Sequence, residues 1–347
     1  MAYTTIDDPS AYFQTLLYTG DGSDDRNLVN TGNSDLQPDW IWNKRRDSTS
    51  NHFIFDSSRG TSKILATDST EAEGTNTNQL QAFQTDGFQL GSDNGSNGSS
   101  RTMVAWQWKA NGGTTSSNSD GTITSTVQAN TTAGFSIVTY TGTGSNATIG
   151  HGLGAVPNVI IIKQRSGAGD WTSFHEPLGS TKFLRLNSTI AAGTQSTYFQ
   201  DTDPTSTVFS VGSAGDVNTS SGTHVAYCFA EKQGYSKFGS YTGNGNADGP
   251  FVYTGFSPAW VMIKGTSSGR EWFIFDNRRD TYNPFDSYVK AEASDAEADH
   301  TTGDFLSNGF KIRNSGSSYN TNGQTFIYMA FAESPFVSSE GVPTTAR

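Results

Sequence analysis

One short stretch of this sequence occurs three times with constant spacing to its surroundings. The copies are residues 38–44, 157–163 and 258–264, and each begins with proline and ends with lysine. A phenylalanine follows each of these lysines after eleven residues, at Phe55, Phe174 and Phe275. Each copy also follows a Tyr-Thr-Gly tripeptide and precedes a late apolar segment. Repetition with a period of roughly 100 residues indicates a triplicated unit.

A unit of this length is comparable to an ordinary domain and much longer than a solenoid repeat. We therefore expect each unit to own a hydrophobic core instead of borrowing one from its neighbour. The predicted boundaries are an N-terminal arm at 1–11, repeat 1 at 12–110, a Gly/Ser/Thr-rich structured linker at 111–134, repeat 2 at 135–233, repeat 3 at 234–335 and a C-terminal tail at 336–347.

The repeated stretch has the pattern of a central β-strand. Side chains alternate along a strand, so Trp260 and Met262 share one face with Lys264, and Val261 and Ile263 share the other. A strand that is apolar on both faces is typical of the middle of a sheet. Many short apolar segments alternate with turns rich in glycine, asparagine and serine. We predict an all-β protein with three tandem β-sandwich domains, jelly-roll-like and of roughly 100 residues each.

Charge and composition exclude several classes of partner. The formal net charge is −11, whereas binding to nucleic acid or to an anionic membrane requires clustered lysine and arginine. The sequence contains no apolar run long enough to span a membrane, and its first residues lack the pattern of a signal peptide. The single cysteine, Cys228, is expected to be a small buried apolar side chain.

No catalytic motif emerges from the sequence, and we predict that the protein is not an enzyme. The five histidines show no zinc-binding spacing, and no serine lies in a strand-to-helix elbow. The most tempting pair of carboxylates is Glu271 with Asp276, close to Arg278 and Arg279. We interpret this group as a solvated cluster of salt bridges.

The tryptophans are the main candidates for ligand binding. Trp40, Trp42 and Trp260 lie where repeat 2 has valine or isoleucine, which indicates packing in a core. Trp171 and Trp272 lie at a position where repeat 1 has His52, a polar residue. We therefore predict that Trp171, Trp272 and His52 form a partly exposed ligand-binding face.

One loop partly matches the pattern of a calcium site. Asn244, Asn246 and Asp248 occupy the first, third and fifth positions of such a loop, but Gly255 stands where a bidentate glutamate is expected. An ordinary turn and a calcium site both remain open for this segment. We expect no other cofactor.

Several segments resemble virion proteins of tailed bacteriophages, many of them marine, in which such repeats form a domain of unknown function. The resemblance spans nearly the whole chain, and no site residue can be transferred from it. The segments that carry it are Tyr-Thr-Gly-Asn-Gly at 241–245, His-Gly-Leu-Gly-x-x-Pro at 151–157, Val-Ala-Tyr-Cys-Phe-Ala-Glu-Lys-Gln-Gly at 225–234, and the ending at 336–347.

The resemblance implies a non-enzymatic protein on the virion surface, a tail fibre or appendage that could adhere to host polysaccharide. A head fibre or capsid decoration protein is one alternative, and a polysaccharide depolymerase or stand-alone lectin is another. The expected partners are other virion proteins, host surface polysaccharide and further copies of the chain, with a trimer as one option. Such a protein is made in the host cytoplasm and then resides in the virion.

Overall fold

The computed structural model describes residues 2–267 and 269–344. Residue 1 of the predicted arm and residues 345–347 of the predicted tail lie outside the described residues. The described chain is nearly all β, as predicted, with α-helices of only four residues each. None of its helices combines the length and apolar character needed to cross a membrane.

Repeat 1 and the linker contain eleven strands and one short helix. Their bounds are β1 Phe13–Thr19, β2 Arg26–Leu28, β3 Trp40–Arg45, β4 His52–Asp56, β5 Lys63–Ala66, β6 Gly74–Thr75, β7 Leu80–Phe83, β8 Phe88–Leu90, α1 Asn94–Asn97, β9 Thr102–Trp108, β10 Ser116–Asn118 and β11 Ser125–Asn130.

Repeat 2 follows a similar order of elements. Its bounds are β12 Phe135–Thr141, β13 Ala147–Gly150, β14 Val159–Gln164, β15 Thr172–His175, β16 Lys182–Arg185, β17 Gly193–Thr194, α2 Ser196–Phe199, β18 Val208–Val211, α3 Gly215–Asn218 and β19 Thr223–Phe229. The short helix α2 stands in the place of the strand β7.

Repeat 3 has longer strands near its end. Its bounds are β20 Ser236–Thr242, β21 Phe251–Tyr253, β22 Phe256–Gly265, β23 Trp272–Asp276, β24 Phe285–Lys290, β25 Ala298–Leu306, β26 Gly309–Ile312, α4 Ser317–Asn320 and β27 Thr325–Pro335.

The main sheet of every repeat pairs the opening, closing, central and following strands in the same order. These orders are β1-β9-β3-β4 in repeat 1, β12-β19-β14-β15 in repeat 2 and β20-β27-β22-β23 in repeat 3. A smaller set of strands covers one face of each main sheet. In repeats 1 and 2 it is a separate sheet, β2-β8-β7 and β13-β18, whereas in repeat 3 the strands β25-β26-β21 continue from the main sheet through β24. The repeated stretch forms β3, β14 and β22, and each has a neighbour on both sides, which confirms the predicted central strand.

Each repeat has a hydrophobic core of its own between its two layers of strands. Ile41 lies in the core of repeat 1, Ile160 and Ile162 in that of repeat 2, and Val261 and Ile263 in that of repeat 3. Cys228 is fully buried in the core of repeat 2, as predicted. The isoleucines and valine come from the inner face of the central strands, and Cys228 comes from the closing strand β19.

The other faces of the three main sheets meet in one shared core. Trp40 of repeat 1 lies 5.7 Å from Phe229 of repeat 2, measured between ring centroids. Phe229 lies 5.8 Å from Phe331 of repeat 3, and Phe331 lies 5.5 Å from Trp108 of repeat 1. Each repeat therefore owns a core, as predicted, but all three also contribute to a common core, which was not predicted.

The linker and the arm are both fixed to the repeats. β11 pairs with the opening strand β12 and β10 pairs with β11, so the linker is structured, as predicted. In the arm, Tyr3 donates from its hydroxyl to the carbonyl of Gly255 (2.8 Å), and Ile6 is buried in the shared core. The arm thus contacts the far end of the same chain.

Candidate functional site

Three buried lysines lie at equivalent positions around the shared core. Lys44, Lys163 and Lys264 are the last residues of the repeated stretch, and each is 0 % exposed. They stand on the same strand faces as the residues of the shared core, because strand side chains alternate. A buried ammonium group must be hydrogen-bonded, so the acceptors of these lysines define what they do.

Lys163 shows the arrangement most completely. Its Nζ atom donates to the carbonyl oxygens of Gln164 (3.0 Å) and Gly169 (3.0 Å) in its own repeat. It also donates to the carbonyl oxygen of Thr70 (3.1 Å) in repeat 1. One lysine therefore joins its own repeat to a loop of the preceding repeat.

The other two lysines make the same connection, and together they close a circle. Lys264 of repeat 3 donates to the carbonyl of Thr189 in repeat 2 (3.0 Å), and Lys44 of repeat 1 donates to that of Ser294 in repeat 3 (3.0 Å). Lys163 in turn binds repeat 1. Each repeat therefore contributes one lysine to a neighbouring repeat and accepts a hydrogen bond from the lysine of the other neighbour. We call Lys44, Lys163 and Lys264 the lysine ring.

Burial lowers the pKa of each lysine in the ring to about 8. Nearby carboxylates oppose this effect, among them Asp68 for Lys44 and Glu292 for Lys264. The side chains are nonetheless enclosed, so their ammonium groups meet backbone carbonyls and no solvent. The lysine ring thus connects the three repeats through buried hydrogen bonds.

The acceptor loops are equivalent in the three repeats, and we call residues 67–73, 186–192 and 291–297 the crossing loops. The backbone N–H of Glu73 donates to the carbonyl of Arg165 (2.9 Å), and that of Glu297 donates to the carbonyl of Arg46 (2.9 Å). Both pairs also form a salt bridge, with distances of 2.8 Å for Arg165–Glu73 and 2.7 Å for Arg46–Glu297. Two of the three junctions are therefore ionic.

A buried carboxylate extends the ionic network at the junction of repeats 1 and 2. Asp56 binds Arg59, and both side chains are 0 % exposed. Asp56 also accepts the hydroxyl hydrogen of Tyr227 from repeat 2 (2.6 Å). Burial alone would lower the pKa of Arg59, but Asp56 raises it above its ordinary value. A charge pair that is removed from water in this way needs both partners.

The junction of repeats 1 and 3 has the same network. Asp276 binds Arg279 (2.5 Å), and both side chains are 0 % exposed. Asp276 also accepts the indole hydrogen of Trp106 from repeat 1 (3.0 Å). The interpretation of Asp276 and Arg279 as a solvated salt bridge is therefore wrong, because the shared core covers them. The buried Asp276 and the partly exposed Glu271 do not face each other in a catalytic groove.

The junction of repeats 2 and 3 is an apolar version of the same contact. Met329 replaces the tyrosine or tryptophan donor, and His175 and Leu178 replace the aspartate and arginine. Ala192 and Thr266 replace the glutamate and arginine of the crossing-loop salt bridge, and only their backbone hydrogen bond remains (2.9 Å). All five polar groups are thus exchanged together, which leaves no buried charge without a partner.

The predicted ligand-binding face does not exist at the surface. Trp171 and His52 are 0 % exposed and Trp272 is 3 % exposed, so the prediction of partial exposure is wrong. The indole of Trp171 donates to the carbonyl of Ala66 in repeat 1 (2.8 Å), and that of Trp272 donates to the carbonyl of Arg185 in repeat 2 (3.0 Å). These side chains lie under the crossing loops and join neighbouring repeats.

His52 occupies the same place at the third junction, which explains why a polar residue is tolerated there. It accepts a hydrogen bond at Nδ1 from the indole of Trp42 (2.9 Å) and lies beside backbone carbonyls of Ala293 and Lys290 in repeat 3. Burial holds the pKa of His52 well below its usual range. The Nδ1 atom of His52 thus has a hydrogen-bond partner inside the protein.

The predicted calcium loop is a series of turns. The side-chain oxygen of Asn244 accepts the backbone N–H of Asn246 (3.0 Å), and that of Asn246 accepts the backbone N–H of Asp248 (3.0 Å). Lys311 neutralises Asp248 (2.6 Å). Throughout residues 2–267 and 269–344, no group of three or more His, Cys, Asp or Glu side chains could hold a metal ion. These oxygens are thus already in use, and calcium stays an untested prediction.

Three equivalent asparagines were missed by the sequence reasoning. Asn97, Asn218 and Asn320 are 0 % exposed, and each bonds backbone groups of the loop after the opening strand. The preceding residue accepts the tyrosine hydroxyl of the Tyr-Thr-Gly motif, for example Tyr140 to the carbonyl of Val217 (2.6 Å). The sequence did contain a regularity that could have identified them. Each asparagine lies nine residues before the closing-strand position that holds the tryptophan or tyrosine donor in repeats 1 and 2.

These features define a class: an all-β protein in which three repeats surround a shared aromatic core and are joined by a buried lysine ring. The family described as Domain of unknown function (DUF7483) has a sequence model that matches residues 8–335, and the chain belongs to this family. No curated protein matches the chain, and no solved structure matches it.

Proposed function

We propose that this chain is a non-enzymatic structural protein on the surface of a bacteriophage virion, as part of a tail fibre or appendage. The observation that carries the proposal is the lysine ring: Lys44, Lys163 and Lys264 are buried and bind only backbone carbonyls. Groups that an enzyme would present to a substrate join the repeats here. The resemblance of the motifs to tailed-phage proteins supplies the location.

The arrangement suits a part that must keep its shape under load. Three sheets that share one core cannot separate without exposing large aromatic side chains, including Trp40, Trp108 and Trp260. Exposing such surface costs roughly 25 cal/mol for each Å² of apolar area. A protein built in this way provides a rigid body, which is what a fibre, an appendage or a decoration of the head requires.

The location is tested by mass spectrometry of purified virions, together with antibody labelling in electron micrographs. We expect peptides of this chain in the particles at a ratio comparable to other structural proteins, with label on the tail. Label on the head would favour a head fibre or decoration protein. Absence of the chain from purified particles would overturn the proposal.

Adhesion to host polysaccharide must use a surface other than Trp171, Trp272 and His52, because these residues are buried. The rival depolymerase activity is tested by adding the protein to host envelope and measuring released reducing sugar. We expect none above a heat-denatured control. Sustained release would exclude a purely structural role.

A further inference from the structure

The strand β21 is an exposed edge of repeat 3 with an unusual surface. It stands at the end of its sheet, next to β26 only. Phe251 is 45 % exposed and Tyr253 is 52 % exposed, whereas Val252 between them is buried in the core of repeat 3. Two aromatic rings therefore lie side by side on the outer face of an edge strand.

Repeat 2 shows that this edge accepts another strand. Its equivalent strand is β13, since Ile149 pairs with Phe209 as Val252 pairs with Phe310. The linker covers the outer edge of β13 with a parallel bridge between Ile123 and Ile149. The backbone N–H of Ile123 donates to the carbonyl of Thr148 (3.1 Å). Backbone pairing at this position is thus compatible with the fold.

The same comparison identifies the outward backbone groups of β21. In repeat 2 the N–H of Thr148 donates to Thr122 Oγ1 (2.9 Å), and the carbonyl of Gly150 accepts from Ser125 Oγ (2.7 Å). The matching residues of β21 are Phe251 and Tyr253. Within residues 2–267 and 269–344, no strand or bridge pairs with the outer edge of β21. An edge of this kind is a template for further pairing.

The aromatic pair is particular to repeat 3. The matching residues are Asn27 and Val29 in repeat 1 and Thr148 and Gly150 in repeat 2. Edge strands of soluble proteins normally carry charged or polar side chains that discourage pairing. The edge strand of repeat 3 departs from that rule. We take this as an indication that another strand covers it.

We propose that β21 is a self-association edge, on which β21 of a second copy of this chain pairs antiparallel about a two-fold axis. In this register Phe251 stands opposite Tyr253 of the second copy, and Val252 stands opposite its own counterpart. Both outward residues then exchange backbone hydrogen bonds with the second copy. The two aromatic rings form cross-strand pairs, which favour association in antiparallel sheets.

A second copy fits this edge because the surface is self-complementary. In a two-fold contact, the same two positions face each other twice, once from each copy. The Phe-x-Tyr sequence meets this condition, because a phenylalanine then faces a tyrosine in both places. The charge next to Phe251 is Lys311 on β26, which Asp248 neutralises (2.6 Å). Lys311 therefore does not bring an unpaired positive charge to the two-fold contact.

Sedimentation of the full chain over a range of concentrations tests the proposal. We expect a concentration-dependent dimer that Phe251→Thr weakens by about tenfold or more in Kd. Val29→Thr, which changes the matching edge of repeat 1, should behave like the wild type. A wild-type chain that stays monomeric up to about 1 mM overturns the proposal. So does a Phe251→Thr variant that dimerises as strongly as the wild type.

The register is tested by disulfide formation between two single variants. Phe251→Cys mixed with Tyr253→Cys should give a cross-linked heterodimer faster than either variant alone gives a homodimer. Cys228 is buried and does not interfere. Equal rates of homodimer and heterodimer formation would contradict the antiparallel register. Occupation of β21 by a different polypeptide, with the chain itself monomeric, would contradict the choice of a second copy.

Discussion

The Nζ atom of Lys44 donates to the carbonyl oxygen of Ser294, 3.0 Å away in space and 250 residues further along the chain. The bond joins the first and last repeats and completes the circle that Lys163 and Lys264 begin. It also explains why lysine ends a mostly apolar stretch in all three copies. Only a long side chain with several donors reaches the crossing loop from that position.

Replacing Lys163 by methionine should destabilise the protein by about 2–3 kcal/mol at neutral pH, because buried carbonyls lose a hydrogen-bond donor. The free energy of unfolding in denaturant measures the effect. Lys182→Met is the matched control, since Lys182 is partly exposed and binds only Thr194. Equal stabilities of the Lys163 and Lys182 variants would show that the lysine ring contributes nothing.

The lysine ring should also make stability depend on alkaline pH. The folded pKa of Lys163 is about 8, below its ordinary value of 10.5, so between these limits the unfolded chain holds a proton that the folded chain lacks. Raising the pH from 8 towards 10.5 therefore favours the folded state. The wild type should gain up to about 1.4 kcal/mol per pH unit relative to Lys163→Met. Other titrating groups cancel in this difference, and parallel curves would contradict the prediction.

His175 should contribute a dependence of the same sign in acid, with stability again rising as the pH rises. Burial lowers the pKa of His175 to about 4 from an ordinary 6.5, so between these values only the unfolded chain takes up the proton. The contribution to stability is lost as the pH falls from 6.5 to 4. His175→Gln can still donate to the carbonyl of Tyr328 but does not titrate. The wild type should lose up to about 1.4 kcal/mol per pH unit relative to this variant.

At an ionic junction, changing one charged residue should lower the free energy of unfolding more than exchanging all five residues of the network together. Asp56→Ala removes one of the two carboxylates that bind the buried Arg59, leaves Glu73 (3.1 Å) as the other, and should cost about 3–5 kcal/mol. Exchanging all five residues for those of the apolar junction should cost clearly less than the single change. The substitutions are Asp56→His, Arg59→Leu, Glu73→Ala, Arg165→Thr and Tyr227→Met.

Unfolding free energies of the single and fivefold variants check this prediction. A fivefold variant that is less stable than Asp56→Ala would show that the apolar junction depends on its own surroundings. The comparison is informative because both kinds of junction occur in one chain, around one shared core.

The tyrosine of the Tyr-Thr-Gly motif should act through its hydroxyl group. Tyr140→Phe leaves the buried carbonyl of Val217 without this donor and should cost about 1–2 kcal/mol. Tyr282→Phe is the control, because Tyr282 is 85 % exposed and should change stability by less than about 0.5 kcal/mol. Thermal or chemical unfolding of the wild type and the two variants measures these differences in stability.

The sequence predicted the local structure well and the candidate site poorly. The central strands and their two apolar faces follow from alternation within a few residues, and the burial of Trp40, Trp42 and Trp260 follows from the valine and isoleucine at the equivalent positions of repeat 2. The exposure of Trp171 and Trp272 was predicted wrongly. A polar residue at the equivalent position of another repeat indicates exposure only if its polar group has no hydrogen-bond partner inside the protein. His52 has one, and it lies on another strand.

The triplication, the all-β class and the identity of the central strands were determined by the sequence alone, because period and alternation are properties of neighbouring residues. Only the tertiary structure decided which surfaces the outer faces of the sheets cover. An apolar face specifies that it will be buried, but it does not specify against what. The partners of Lys44, Asp276 and Tyr227 lie in other repeats, and only the closed arrangement brings them within bonding distance.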